Sequence, residues 1–139
     1  MSLVIDASVA FKWYVCEPDS DLAQAIQESE QELIAPDEVL GEISNSAWKS
    51  YRRGEMTGQQ CRDIALQVVE AFDRVVSHAE LIARAAELAV ELDHPVYDCL
   101  YLALAEHEQT VVVTADTRLL RKLKGSSYEA LARDLATFA

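Results

Sequence analysis

A chain of 139 residues has the length of one ordinary domain, and half of it is apolar, which excludes intrinsic disorder and makes a single core feasible without staples. Its three cysteines, Cys16, Cys61 and Cys99, are odd in number and scattered, which excludes a disulfide framework and any CxxC metal spacing; they read as free thiols in a reducing compartment. Twelve Lys and Arg against twenty-four Asp and Glu leave a net charge of −12, the opposite of the basic footprint of a general nucleic-acid binder.

Leu3-Val4-Ile5 is a short apolar run ending at Asp6, the pattern of a buried strand with an acid at its carboxyl end. Asp19, Ser20 and Asp21 are candidate N-caps for a helix over 20–30 with Leu22, Ala25 and Ile26 on one face. Leu33-Ile34-Ala35 predicts a second strand stopped by Pro36, and Asp37 is placed to cap a helix running to about Arg53, with Val39, Leu40, Ile43, Ala47 and Trp48 inward. Thr57 or Gly58 opens another helix, with Ile64, Ala65, Val68, Val69 and Phe72 inward, and Val75-Val76 reads as a strand remnant. From Ala79 to Leu92 the apolar residues Leu81, Ile82, Ala85, Leu88, Ala89 and Leu92 recur at helical spacing until His94-Pro95 breaks the pattern. Val96 to about Glu108 predicts a helix buried on most sides. Thr110 to Thr114 is the clearest strand, β-branched throughout; a short helix follows to Lys124, and the tail from Ser126 reads weakly as helix.

Strands that alternate with helices, and are themselves continuously apolar, predict an α/β fold with a parallel sheet covered on both faces. No repeat, low-complexity segment or linker divides the chain, so one domain over 1–139 is expected. Asp6 interrupts the first apolar run too early for a secretory leader, and no stretch approaches the roughly 18 apolar residues of a membrane span, so a soluble cytoplasmic protein is expected.

Four acids stand out against this background. Asp6 and Asp116 each follow a buried-strand pattern, and in an open α/β sheet the carboxyl ends of parallel strands face a common crevice. Either could equally be a helix N-cap; together they favour a site. Glu42 lies within the helical segment of Val39, Leu40 and Ile43, with Asn45 three residues on along the same face. Asp98 interrupts Val96-Tyr97-Asp98-Cys99-Leu100-Tyr101-Leu102, a segment that otherwise favours burial, so its carboxylate needs a hydrogen bond, an opposite charge or a metal unless it caps the first turn. Carboxylates brought together raise one another's pKa, and hard divalent cations such as Mg²⁺ or Mn²⁺ relieve the repulsion through oxygen ligation. A metal on carboxylates suits phosphodiester cleavage without a side-chain nucleophile. The three histidines, His78, His94 and His107, are scattered and read as surface or structural groups.

The order of these segments is that of a known family. Val4-Ile5-Asp6-Ala7-Ser8, the run from Pro36 to Asn45 containing Glu42, the run from His94 to Ala105 containing Asp98, and Val113-Thr114-Ala115-Asp116-Thr117-Arg118-Leu119-Leu120 together resemble the PIN domain family over about residues 3–124, most of all the VapC-type toxins of prokaryotic toxin–antitoxin pairs. The resemblance implies a PIN-like α/β/α sandwich and a metal-dependent endoribonuclease with Asp6, Glu42, Asp98 and Asp116 as its acidic, metal-holding centre. It implies supporting roles for Ser8, Thr114 and, more weakly, Asn45, together with a homodimer and inhibition by a small VapB-like antitoxin. The tail lacks the β-branched run expected of a final strand.

RNA binding by so acidic a chain requires local cations. Lys49, Arg52 and Arg53 follow Glu42 on one helix, and Arg118, Arg121, Lys122 and Lys124 follow Asp116; either cluster can meet flanking phosphates or form a solvated helix face. Lys12, Trp13 and Tyr14 follow Asp6, where Trp13 offers a surface for a base, although packing is the simpler reading for it and for Trp48. Two rivals remain at this level: a phosphatase or phosphotransferase on an α/β fold, which lacks its usual acid two residues after Asp6, and a PIN-like binding module without catalysis.

Overall fold

The computed structural model describes residues 1–138. Its elements are β1 (Ser2–Ile5), α1 (Ala7–Ala10), α2 (Ser20–Gln27), β2 (Glu32–Pro36), α3 (Val39–Arg52), α4 (Gly58–Ala71), β3 (Arg74–Val76), α5 (Ile82–Leu92), α6 (Val96–His107), β4 (Val112–Thr114), α7 (Thr117–Leu123) and β5 (Ala132–Asp134). The five strands form one sheet in the order β3-β2-β1-β4-β5, every pair parallel. Successive residues such as Val4 and Ile5 or Ile34 and Ala35 are fully buried. Since neighbouring side chains on a strand point to opposite faces, both faces are covered, as the apolar runs predict. The largely apolar α6 packs on β1, β2 and β4, with α5 against its outer side.

The chain leaves β1 toward β2 on one side and returns to β4 on the other. The strand order therefore reverses between β1 and β4, and a crevice opens outside their carboxyl ends. Asp6 follows β1 directly and Asp116 lies two residues beyond β4, so the fold sets both acids at this reversal.

Several sequence expectations are corrected. Helix α2 ends at Gln27 and buries Ala23 and Ile26, while Ala25 faces solvent; Asp19 precedes it with φ 67° and gives no side-chain cap. Asp37 does not cap α3. Its carboxylate accepts from the His78 amide at 3.0 Å and pairs with His78 Nδ1 at 2.7 Å, tying the start of α3 to the turn after β3. On α3 the buried arc is Val39, Ile43, Ala47 and Ser50; Trp48, one step beyond Ala47, turns outward, 46% exposed beneath the Arg52 guanidinium. Val69 and Ile82 are likewise at solvent-facing positions of their helices, because single-residue helical steps of 100° leave only a narrow arc against the core. Thr57 does open α4, through a capping box with Gln60.

The tail holds the largest departure. Residues Ala132–Asp134 form β5, parallel to β4, in place of a helix. None of the three is β-branched; the open edge of β4 supplies the hydrogen bonds, and Leu135, 1% exposed, anchors the segment in the core. Leu135→Ala is expected to destabilise the protein by about 2–5 kcal/mol. Urea unfolding measures this, and an unchanged midpoint would mean that the tail lies off the core.

Candidate active site

Four separate segments deliver the acids. Asp6 comes from the end of β1, Glu42 from the first turn of α3, Asp98 from the first turn of α6 and Asp116 from the N-cap of α7. All four line one cleft of about 520 Å³, together with Ser8, Lys12, Asn45, Lys49 and Arg118. A larger cavity of about 720 Å³, between the segment around Trp13 and the α3–α4 hairpin, contains none of the four.

Asp6 is the most buried of them, 7% exposed. It stands at the N-cap position of α1, yet its carboxylate caps nothing. Instead Oδ2 accepts from the hydroxyls of Ser8 and Thr114, each at 2.7 Å. Those hydroxyls are themselves oriented: the amide of Ala115 donates to Ser8 Oγ and that of Asp116 to Thr114 Oγ1, both at 3.0 Å. The amides after β4 occupy acceptor sites on the hydroxyls, which leaves the hydroxyl protons for Asp6. Burial pushes the Asp6 carboxyl above its ordinary pKa; the two hydroxyls pull against this, and the charges of Asp98 and Asp116 add to the rise.

The other three acids follow the same pattern. Glu42 Oε1 accepts from the Tyr101 hydroxyl at 2.7 Å. Burial lifts the Glu42 carboxyl to about 7, with the charges of Asp6 and Asp98 contributing and the Tyr101 bond opposing. His94 Nε2, four residues earlier in the chain and just outside α6, lies 2.7 Å from Asp98 Oδ2. Asp116 Oδ1 accepts from the Arg118 amide at 2.9 Å, so this acid both caps α7 and faces the cleft. In each carboxylate one oxygen is held and the other accepts no hydrogen bond from the described residues. Glu38, one turn before Glu42, adds to the local charge: its Oε1 is buried without a partner, and burial followed by repulsion from Glu42 raises it to about 7.

Among the described residues no group of three or more His, Cys, Asp or Glu is arranged to hold a metal ion as the side chains stand. The chemistry of the donor set nevertheless fits one. The free oxygens are hard donors, and the charges of Asp98 and Asp116 raise the Asp6 carboxyl while those of Asp6 and Asp98 raise Glu42, a repulsion that a hard divalent cation would relieve.

The cleft contains eight of the residues singled out in the sequence: Asp6, Ser8, Glu42, Asn45, Lys49, Asp98, Asp116 and Arg118. Thr114 is fully buried directly behind Asp6. Arg52 and Arg121 are not among its lining residues: Arg52 stacks on Trp48 with its guanidinium 5.2 Å from the ring centroid, and Arg121 reaches back to Thr117. Trp13 is held by packing, its indole N–H bound to the Ala23 carbonyl and its ring beside Phe72. Lys12, left unassigned by sequence, lines the cleft 3.4 Å from Glu17. Tyr101 and His94 were missed as site residues. The signals for them were a hydroxyl on an otherwise apolar helix and an imidazole four residues before Asp98.

A parallel sheet with four carboxylates gathered at its strand-order reversal defines an acidic-centre α/β protein, and the model of the PIN domain family matches residues 3–125: the chain belongs to the PIN domain family. It is 35% identical over 124 residues to Ribonuclease VapC3 of Pyrobaculum aerophilum, an alignment covering 88% of this chain and 95% of that protein. The crystal structure of PAE2754 from the same organism superposes with a TM-score of 0.73 at 26% identity, covering 99% of this chain and 85% of that one. A toxin–antitoxin complex from Klebsiella pneumoniae contains a chain of the same fold, with a TM-score of 0.67 at 17% identity over 96% of this chain and 98% of that one.

The raised carboxyls have a thermodynamic consequence. Glu38 and Glu42 move from 4.5 when unfolded to about 7 when folded, so the folded chain binds more protons across that window. Stability without metal is therefore greatest below about pH 4.5 for these groups and falls as pH rises through about 7. Glu42→Gln removes part of that loss and is expected to raise Tm in chelator by a few degrees at pH 8 while leaving it nearly unchanged at pH 4. Calorimetric scans at the two pH values check this; an equal shift at both would mean that charge at Glu42 is not the cause.

Proposed function

We propose that this chain is a divalent-metal-dependent endoribonuclease, the toxin of a VapC-type pair, acting in the cytoplasm. The observation that carries the reading is the cleft in which Asp6, Glu42, Asp98 and Asp116 each have one oxygen anchored and one free. The named ribonuclease relative supports the reaction.

The four acids are the residues that would hold Mg²⁺ or Mn²⁺. Such an ion, when bound, neutralises their mutual repulsion, activates water and offsets the charge that develops on a phosphodiester. The protein contributes the rest. Ser8 and Thr114 donate to Oδ2 of buried Asp6 and oppose the rise in its pKa. Lys49 and Arg118 at the rim of the cleft meet the phosphates on either side of the scissile bond, with Lys12 nearby. Water is the nucleophile in this reading: Ser8 Oγ is tied between the Ala115 amide and Asp6 as a support for that acid, and Cys99 is buried with its thiol pushed up to about 11 by burial and Asp98. Hydrolysis accordingly proceeds by direct attack of water, without a covalent protein–phosphate intermediate. An antitoxin partner is supported by the Klebsiella pneumoniae fold neighbour, which was solved in a toxin–antitoxin complex, and by an acidic chain suited to a basic partner. A homodimer is part of the same reading.

Purified protein should cut cellular RNA with Mg²⁺ or Mn²⁺, stop in chelator, and lose the activity on Asp98→Asn. Equal cutting by both proteins would remove Asp98 from the centre, and cutting undiminished by chelator would remove the metal. Lys49→Ala and Arg118→Ala should each weaken binding of single-stranded RNA by catalytically dead Asp6→Asn protein. Each should also reduce the salt dependence, by about 0.7 in the slope of log K against log salt. An unaltered slope would move the phosphate contacts elsewhere.

A further inference from the structure

Tyr101 lies on α6, three residues after Asp98, and is 1% exposed. Its ring fills the core, and its hydroxyl donates to Glu42 Oε1 at 2.7 Å. A Phe would fill nearly the same volume, so the core does not require the hydroxyl. What the hydroxyl does is join α3 to α6, the two helices that carry Glu42 and Asp98, across 59 residues of sequence.

Among the four acids Glu42 most needs such a link. It has one more rotatable bond than Asp6, Asp98 or Asp116, and so more orientations to lose when its carboxylate is fixed. Holding Oε1 fixes the carboxylate and leaves Oε2 as the one oxygen without a protein partner. The corresponding anchor of Asp6 is a pair of hydroxyls, Ser8 in α1 and Thr114 at the end of β4, and that of Asp116 is a backbone amide of its own helix. The Glu42 anchor comes instead from a core side chain on α6, the helix that carries Asp98.

We propose that Tyr101 is a positioning residue of the metal site, whose hydroxyl presents Glu42 Oε2 to a divalent cation. The proposal rests on the reading above that the four carboxylates hold that cation. Groups that orient a ligand of this kind cost about tenfold or more in metal affinity when removed.

The test is Mn²⁺ titration by calorimetry on chelator-stripped, RNA-free protein. Tyr101→Phe should weaken Mn²⁺ binding about tenfold, while Tm in chelator falls by only a few degrees, the cost of one lost hydrogen bond. Cleavage by Tyr101→Phe should be low at limiting Mn²⁺ and recover at high Mn²⁺, which a packing defect would not do. Adding Tyr101→Phe to Glu42→Gln should cost nothing further, because the two act as one unit. Parent-like Mn²⁺ affinity in Tyr101→Phe, or a full additional loss on top of Glu42→Gln, overturns the proposal while leaving the ribonuclease reading intact. Parent protein that binds no Mn²⁺ overturns both.

Discussion

A carboxylate with 7% exposure at the end of a central strand is the constraint around which this molecule is arranged. Two hydroxyls donate to one oxygen of Asp6 and oppose the rise in pKa that burial imposes, and those hydroxyls are aimed by the amides of Ala115 and Asp116. The relay needs β1 and β4 side by side, with Ile5 opposite Val113. Parallel pairing of these two strands puts Thr114 beside Asp6 and sends the chain on to Asp116. The same hydrogen bonds that make one buried acid tolerable thus fix the position of the next. Leaving either hydroxyl out would expose Asp6 to an uncompensated desolvation cost, which is why polar Thr114 is completely buried among apolar strand residues.

Much of this was legible in the sequence because it rests on local pattern. Apolar runs ending at Asp6 and near Asp116 mark strand ends, and strand ends in a parallel sheet share an edge. Asp98 was visible as a charge in a segment made for burial, and the structure resolves the conflict by setting it in the first turn of α6, partly buried at the cleft and paired with His94. The partner of Glu42 was not legible. Tyr101 reads as one more large residue on an apolar helix, and nothing local says that its hydroxyl meets a carboxylate 59 positions away. Trp48 was misplaced because hydrophobicity alone suggested burial, whereas the helix had already filled its inward arc with smaller residues and could pair the indole with Arg52. Strand β5 was missed because its conformation comes from the edge it joins, not from the residues it contains.

The charge that argued against a polyanionic ligand also has a local resolution. A net −12 is an average over the chain, while the cleft sets Lys12, Lys49 and Arg118 around its acids. Lys12 is partly engaged by Glu17, and Arg118 lies 3.8 Å from Asp116, so these cations also reduce the repulsion among the carboxylates. The cleft lining still carries five acids against three cations, so a polyanion would be accepted there only with a divalent cation on the acids to reverse the sign.

The pairing of β1 with β4 has a meaning for synthesis as well as for structure. The chain makes its first acid within six residues but cannot enclose it until Val112–Thr114 has been added, more than a hundred residues later. A nascent or prematurely terminated chain lacks the central strand pairing, the hydroxyl of Thr114 and Asp116 all at once. Partial products of translation that lack these residues therefore cannot assemble the cleft, which forms only with a chain long enough to pair β1 with β4.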